Sequence, residues 1–216
     1  MVFRAYAGCH RLGACLPSTA ELQKGRSLRK LTAALAATTV YAALAVLVFC
    51  TMISETVFLY PNYFHDIPAS LIVADEFTAV VSVGSVMRPL GAVLMLTGVV
   101  AVGATLWSKT SRTWTLASML SLVSGLFLLS ALYLWPRWTI LFDDRALHTV
   151  DELHRTAKEI EVAHTVRVAL GALTALFAVI AALRIYRDRI LLGVESTTAT
   201  TRSKDPRSES TQGLVT

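Results

Sequence analysis

The residues of this chain whose types and spacing could do chemistry are Glu55, Arg88, Arg137, Glu161, His164 and Arg167. Each adjoins or enters an apolar run. An ionisable group at the centre of a bilayer costs about 2.5–3.5 kcal/mol on insertion scales, so such a group is a functional candidate by default. Glu161, His164 and Arg167 follow one another at i, i+3 and i+6, the spacing of one polar stripe on a helix. On that stripe Glu161 could hold one imidazole nitrogen of His164. The other nitrogen could then take a proton from a phenolic or carbon acid, with Arg88 or Arg167 stabilising the anion. The candidate catalytic set is therefore Glu55, Arg88, His164 and Arg167.

A carboxylate three residues before a histidine occurs twice, in Asp151-Glu-Leu-His154 and Glu161-Val-Ala-His164. A bundle helix contributes two ligands to a di-iron site by this spacing. The two pairs are too far apart along the helix to reach one small site, and Asp151 and His154 read as a solvated face. Glu161 and His164 remain as the metal candidates, with His65 or His148 as partners at a metal or haem. The sequence names no cofactor. There is no phosphate-binding glycine loop, nucleophile elbow, Cys-x-x-Cys or His-Glu-x-x-His.

The elements that must position these residues are apolar. Of 216 residues 54% are hydrophobic and only 16% charged, against about 25% charged in soluble domains, and the apolar residues gather in blocks. Four blocks approach the roughly 20 residues needed to cross a bilayer: 31–52, 90–107, 114–135 and 168–183. The second and fourth are short and extend by a turn. Pro89 suits the first position of its helix, which leaves Arg88 to reach the headgroups. The alternative embeds Thr78 to Val86 as well and sets Arg88 deeper, opposite a carboxylate such as Glu55.

Lys and Arg are retained on the cytoplasmic side of short connections. Arg4, Arg11, Lys24, Arg26, Arg29 and Lys30 precede the first span, Lys109 and Arg112 link the second to the third, and Arg184, Arg187 and Arg189 follow the fourth. The connections 53–89 and 136–167 are acidic or mixed. The expectation is an all-α, integral membrane four-helix bundle, up-down-up-down, in the cell membrane with both termini cytoplasmic. Residues 1–30 form a basic N-terminal segment, 31–190 the membrane domain with outer loops 53–89 and 136–167, and 191–216 a disordered tail. A cleaved signal peptide fits less well, because the first apolar run is too long and no small-x-small site follows it. Cys9, Cys15 and Cys50 make no disulfide framework and are read as free thiols.

Spans in lipid associate through close approach at small residues. Ala33 and Ala37, Gly91 and Gly98, Ser118, Ser121 and Gly125, and Gly171 with Ala175 supply them. The segment from Ala146 to Arg167 reads as a helix, with Asp151–Arg155 and Arg155–Glu159 as i,i+4 pairs, running on into the fourth span. Glu55, Arg88, Arg137, His164 and Arg167 then share one end of the bundle, its outer mouth. The net charge of +5 is accounted for by topology, and no nucleic-acid binding is read from it.

Four stretches carry a likeness: Glu55-Thr-Val-Phe-Leu-Tyr-Pro-Asn62, Met87-Arg-Pro89, Leu134-Trp-Pro-Arg-Trp138 and Glu161-Val-Ala-His-Thr-Val-Arg167. With their layout they resemble the small four-helix membrane proteins grouped with the anthrone oxygenases, over roughly residues 31–183. In that family a polar residue followed three positions later by Arg opens the last helix, and His164 and Arg167 match those two. Glu161 stands where that family often has an aromatic residue. The resemblance implies oxidation of polycyclic phenols to quinones without a firmly assigned cofactor.

Two readings stand. One is an oxidoreductase acting on a hydrophobic phenolic or quinol-like substrate that enters from lipid at the outer mouth. The other is a non-enzymatic membrane subunit or transport accessory, with a homo-oligomer or a membrane-protein partner docking on its outer helix and tail. The lipid bilayer is a partner in both.

Overall fold

A computed structural model describes residues 19–203, which contain helices and short connections and no strand. The expectations for residues 1–18, including Cys9 and Cys15, and for residues 204–216 lie outside the described residues. Helix α1 (Thr19–Ser54) continues through a π-turn at Glu55–Leu59 into α2 (Tyr60–Phe64); α3 (Ala69–Thr78) follows, then α4 (Val83–Ser108). Helix α5 (Arg112–Ser121) continues through π-helical turns at Leu122–Leu128 and Ser130–Leu134 into α6 (Trp135–Phe142), and α7 (Val150–Ser203) closes the chain. The resulting rods, Gly25–Phe64, Val83–Ser108, Arg112–Phe142 and Val150–Val194, are each long and apolar enough to cross a membrane.

Each expected span lies within one rod, but the boundaries move. Helix α4 starts at Val83 rather than at Pro89, because extended Ser82 caps it by accepting the Ser85 N–H at 3.1 Å. Pro89 therefore sits inside the helix. Helix α7 opens on a capping box, Thr149 and Glu152 exchanging backbone N–H bonds at 2.9 and 3.3 Å, and runs unbroken through residues 195–203, whose composition reads as tail.

Helix α1 packs on α4 and α7, and α5 packs on the same two, which closes a four-membered ring. The α1–α7 seam is written in heptads. Along α1 and into the π-turn a buried series runs Leu31, Ala34, Thr38, Tyr41, Ala45, Val48, Met52 and Glu55, at alternating spacings of three and four, with Ala42 buried beside it. On α7 the corresponding series runs Leu153, Ala157, Ile160, His164, Arg167, Gly171, Thr174, Ala178, Ala181 and Ile185, with only Arg167 half-buried. A 3.5-residue repeat keeps one stripe facing its partner along the whole helix. Ile185 clusters with Leu31 and Ala34 at one end, and Arg167 meets Glu55 at the other, so the two helices are antiparallel.

The small residues used are not all those expected. Ala33 is exposed and Ala37 half-buried, the face having turned to Ala34 and Thr38, and Gly91 has open space around it. Gly98 matters: a Cβ there would meet the Tyr41 ring at 3.0 Å and Met119 Sδ at 3.1 Å. At Gly125 a Cβ would overlap Leu170 of α7. At mid-height Tyr41 donates to Ser118 Oγ at 2.9 Å, and Ser118 donates to the Thr174 carbonyl at 2.7 Å, which ties α1, α5 and α7 together. Outward faces are apolar, with Leu96, Leu120 and Leu132 each more than half exposed, a surface suited to lipid.

Candidate functional site

The two short π-turns explain how polar side chains reach the seam. Each ends two residues before a proline, at Leu59 before Pro61 and at Leu134 before Pro136. A proline ring clashes with the carbonyl four residues back, and widening the preceding turn relieves the clash. In the first turn the Tyr60 N–H donates to the Glu55 carbonyl, an i to i+5 bond that brings Tyr60 under Glu55 and toward α7.

Glu55 is buried, and its Oε2 accepts from Arg167 Nη2. The same guanidinium nitrogen donates to His164 Nδ1 at 2.9 Å. A guanidinium only donates, so Nδ1 is the bare nitrogen and the proton of the neutral ring sits on Nε2. From there it points at Thr56 Oγ1, 2.9 Å away, and at the Met52 carbonyl, 3.3 Å away. Thr56 spends its own hydroxyl proton on that carbonyl at 2.9 Å and is free to accept. The Tyr60 ring covers the imidazole, centroids 4.3 Å apart, and His164 is 1% exposed. The result is a buried carboxylate–guanidinium pair with an imidazole locked in one tautomer against it, its Nδ1 3.8 Å from Glu55 Oε2.

Two polar atoms in this region are buried without a hydrogen-bond partner, Arg167 Nε and the Tyr63 hydroxyl. Tyr63 and Glu55 also line a cleft of ≈ 320 Å³ that opens between the end of α1 and the connection from α3 to α4, with Leu59, Phe77, Val86 and Met87 among its apolar walls. A carboxylate engaged by one oxygen thus stands at the edge of an apolar recess.

Of the candidates read from the sequence, Glu55, His164 and Arg167 come together. Arg88 does not: it is exposed and lies over the Trp135 ring at 5.1 Å. Glu161 is also exposed and leaves His164 to Arg167, because the buried stripe of α7 runs 160, 164, 167 rather than 161, 164, 167. Arg137 pairs with Glu159 at 2.7 Å and stacks on Tyr133, away from the cluster. His65 is exposed against the Asn62 carbonyl, and His148 lies 3.6 Å from Glu152. Among the described residues no group of three His, Cys, Asp or Glu could hold a metal ion. Glu55 and His164 approach each other within the bundle, 3.8 Å apart, and Arg167 donates to both.

Sequence reading passed over Tyr60, Tyr63, Thr56 and the Met52 carbonyl. The heptad phase, carried along the whole of α1, would have put Glu55 on the seam with Met52, and the prolines mark where that phase slips to admit Tyr60. No protein-family model matches the chain, and comparison with the curated proteins and with the solved structures gives no match.

Proposed function

We infer that this is an integral membrane protein of the cell membrane, its four rods crossing the bilayer and both termini cytoplasmic. The Glu55 cluster then lies at the outer mouth of the bundle. The positive-inside count supports that orientation: Lys109, Arg112, Arg184 and Arg187 gather at the opposite end. At the mouth the protein binds a lipophilic phenol or quinol entering from the bilayer and acts on it as an oxidoreductase, as the resemblance to the anthrone-oxygenase group implies.

The observation that carries this reading is the half-committed carboxylate of Glu55 on the wall of an apolar cleft. Such a cleft accepts a hydrophobic ring, and the carboxylate accepts its hydroxyl proton in a charge-assisted hydrogen bond. Arg167 offsets the charge of Glu55 before the ligand arrives, His164 holds Arg167 in place, and Tyr63 offers a hydroxyl at the same wall. The residue proposed to take the proton is Glu55, with His164 positioning. The test is duroquinol-dependent oxygen uptake by the purified protein, compared with Glu55→Leu/Arg167→Leu. Uptake that disappears in the variant supports the reading, and uptake that persists removes it.

One observation favours the second reading, a non-enzymatic membrane subunit. Phe77 at the end of α3 and Val80 in the connection to α4 are 80% and 95% exposed beside the cleft. If that apolar connection seats a partner, photocrosslinking from position 80 in native membranes captures one specific protein.

A further inference from the structure

We propose that the end of the bundle remote from Glu55 holds a binding site for the phosphate of an anionic phospholipid. The turn from α4 to α5 and the facing stretch of α7 enclose a recess of ≈ 460 Å³ lined by Lys109, Ser111, Arg112, Thr113, Trp114 and Arg184. Three of the six are cations and none is a carboxylate. Among the described residues no ion pair engages Lys109, Arg112 or Arg184. Arg184 is held instead over the Trp114 ring, 5.0 Å from its centre. Asp188, one turn further along α7, reaches the same turn, accepting from Thr110 Oγ1 at 2.9 Å and lying 3.6 Å from Arg187, but it does not line the recess and pairs with none of its three cations. Three cations converging from two helices, with one nearby carboxylate that pairs with none of them, repel one another, and a bound anion relieves that repulsion.

The turn itself supplies further donors. Ser111 Oγ is buried and has no hydrogen-bond partner. Lys109 and Ser111 adopt left-handed backbone, with φ of 60° and 50°, a region that residues bearing a Cβ seldom occupy and that recurs at ligand clamps. Ser111 precedes α5 without capping it, so the first-turn N–H groups there are not met by its side chain. A hydroxyl, three cations and open helix N–H groups around one recess match the oxygens of a phosphate ester.

A phospholipid is favoured over free phosphate by what surrounds the recess, an argument that rests on the four rods crossing a bilayer. The recess lies where α4 ends and α5 begins, at headgroup depth, with Trp107 exposed on the last turn of α4 as at a membrane interface. From it the outward faces of α5 and α7 run on as exposed Leu116, Leu120 and Leu183, a bed for acyl chains.

The test uses the full chain in dodecyl maltoside, titrated in native mass spectrometry with dioleoylphosphatidylglycerol, dioleoylphosphatidylcholine or inorganic phosphate. Both lipids carry the phosphate, but the three cations repel the choline ammonium, so the anionic lipid is expected to bind at least about tenfold more tightly than the zwitterionic one, and Lys109→Gln and Arg112→Gln each to weaken it by about fivefold while weakening phosphatidylcholine less. Both substituted side chains are at the protein surface, so the variants fold. Equal affinity for the two lipids, or indifference of the anionic lipid to both variants, overturns the proposal. Full displacement of phosphatidylglycerol by inorganic phosphate overturns the lipid as the source and assigns the recess to a soluble anion. Alkaline carbonate extraction of membranes separates the two failures: a protein that washes off refutes the spanning rods, whereas one that stays yet ignores lipid charge refutes this site alone.

Discussion

Two polar networks lie on the same α1–α7 seam and differ in how completely they close. At mid-height Tyr41, Ser118 and the Thr174 carbonyl form a neutral chain in which every donor has its acceptor. Toward the α2 end Glu55, Arg167 and His164 replace apolar heptad residues with an ion pair, and they leave Arg167 Nε and nearby Tyr63 Oη without partners. A network that only holds helices together has no reason to keep open valences, because each buried one costs free energy. The difference teaches that the mid-height chain is closed within the bundle, whereas the Glu55 cluster keeps donors unspent, as the proposed ligand site requires.

The largest effect that would sharpen this contrast comes from breaking the pair on one side. Arg167→Leu strands the Glu55 carboxylate, a loss of about 3–5 kcal/mol, whereas Glu55→Leu/Arg167→Leu restores most of that stability. Detergent-solubilised thermal melts should show the single variant far below the double, and a double variant as unstable as the single would contradict it. Gly125→Ala forces a methyl into Leu170 and should cost about 1–3 kcal/mol, read as a lower melting temperature without loss of ligand binding. Ser118→Ala opens the mid-height chain and should cost about 1 kcal/mol, again with binding intact. Arg88→Ala removes only a cation over an exposed indole and should shift stability by about 0.5–1 kcal/mol while binding stays at the wild-type level. A binding defect in Arg88→Ala would return that residue to the site.

Much of this was legible in the residues. The four apolar blocks located the rods, because length and hydrophobicity alone decide whether a helix can cross lipid. That His164 and Arg167 share one helical face followed from their spacing, whereas their hydrogen bond did not, the imidazole being assigned there to Glu161. What the spacing could not decide was phase: Glu161 and Ile160 are equally good neighbours of His164 until the opposing helix selects one. Ile160 faces Leu153 and the ring cluster around Trp138, and Glu161 turns outward. Arg88 was misjudged for a related reason. Pro89 marks a helix start in sequence, yet Ser82 provides a cap about two turns earlier, which carries Arg88 round to the Trp135 ring. The open recess at the α4–α5 turn had no sequence signature beyond its charge, since left-handed Lys109 and Ser111 are not residues that favour that backbone.

The most direct test of the central claim is the affinity of the purified protein for 2-naphthol against 2-methoxynaphthalene, the same ring without a hydroxyl donor. If Glu55 accepts that proton, the wild-type protein prefers 2-naphthol by about tenfold or more, and Glu55→Leu/Arg167→Leu, though folded, loses the preference. Equal binding of the two compounds by the wild-type protein, or a preference that survives in the double variant, would contradict the account.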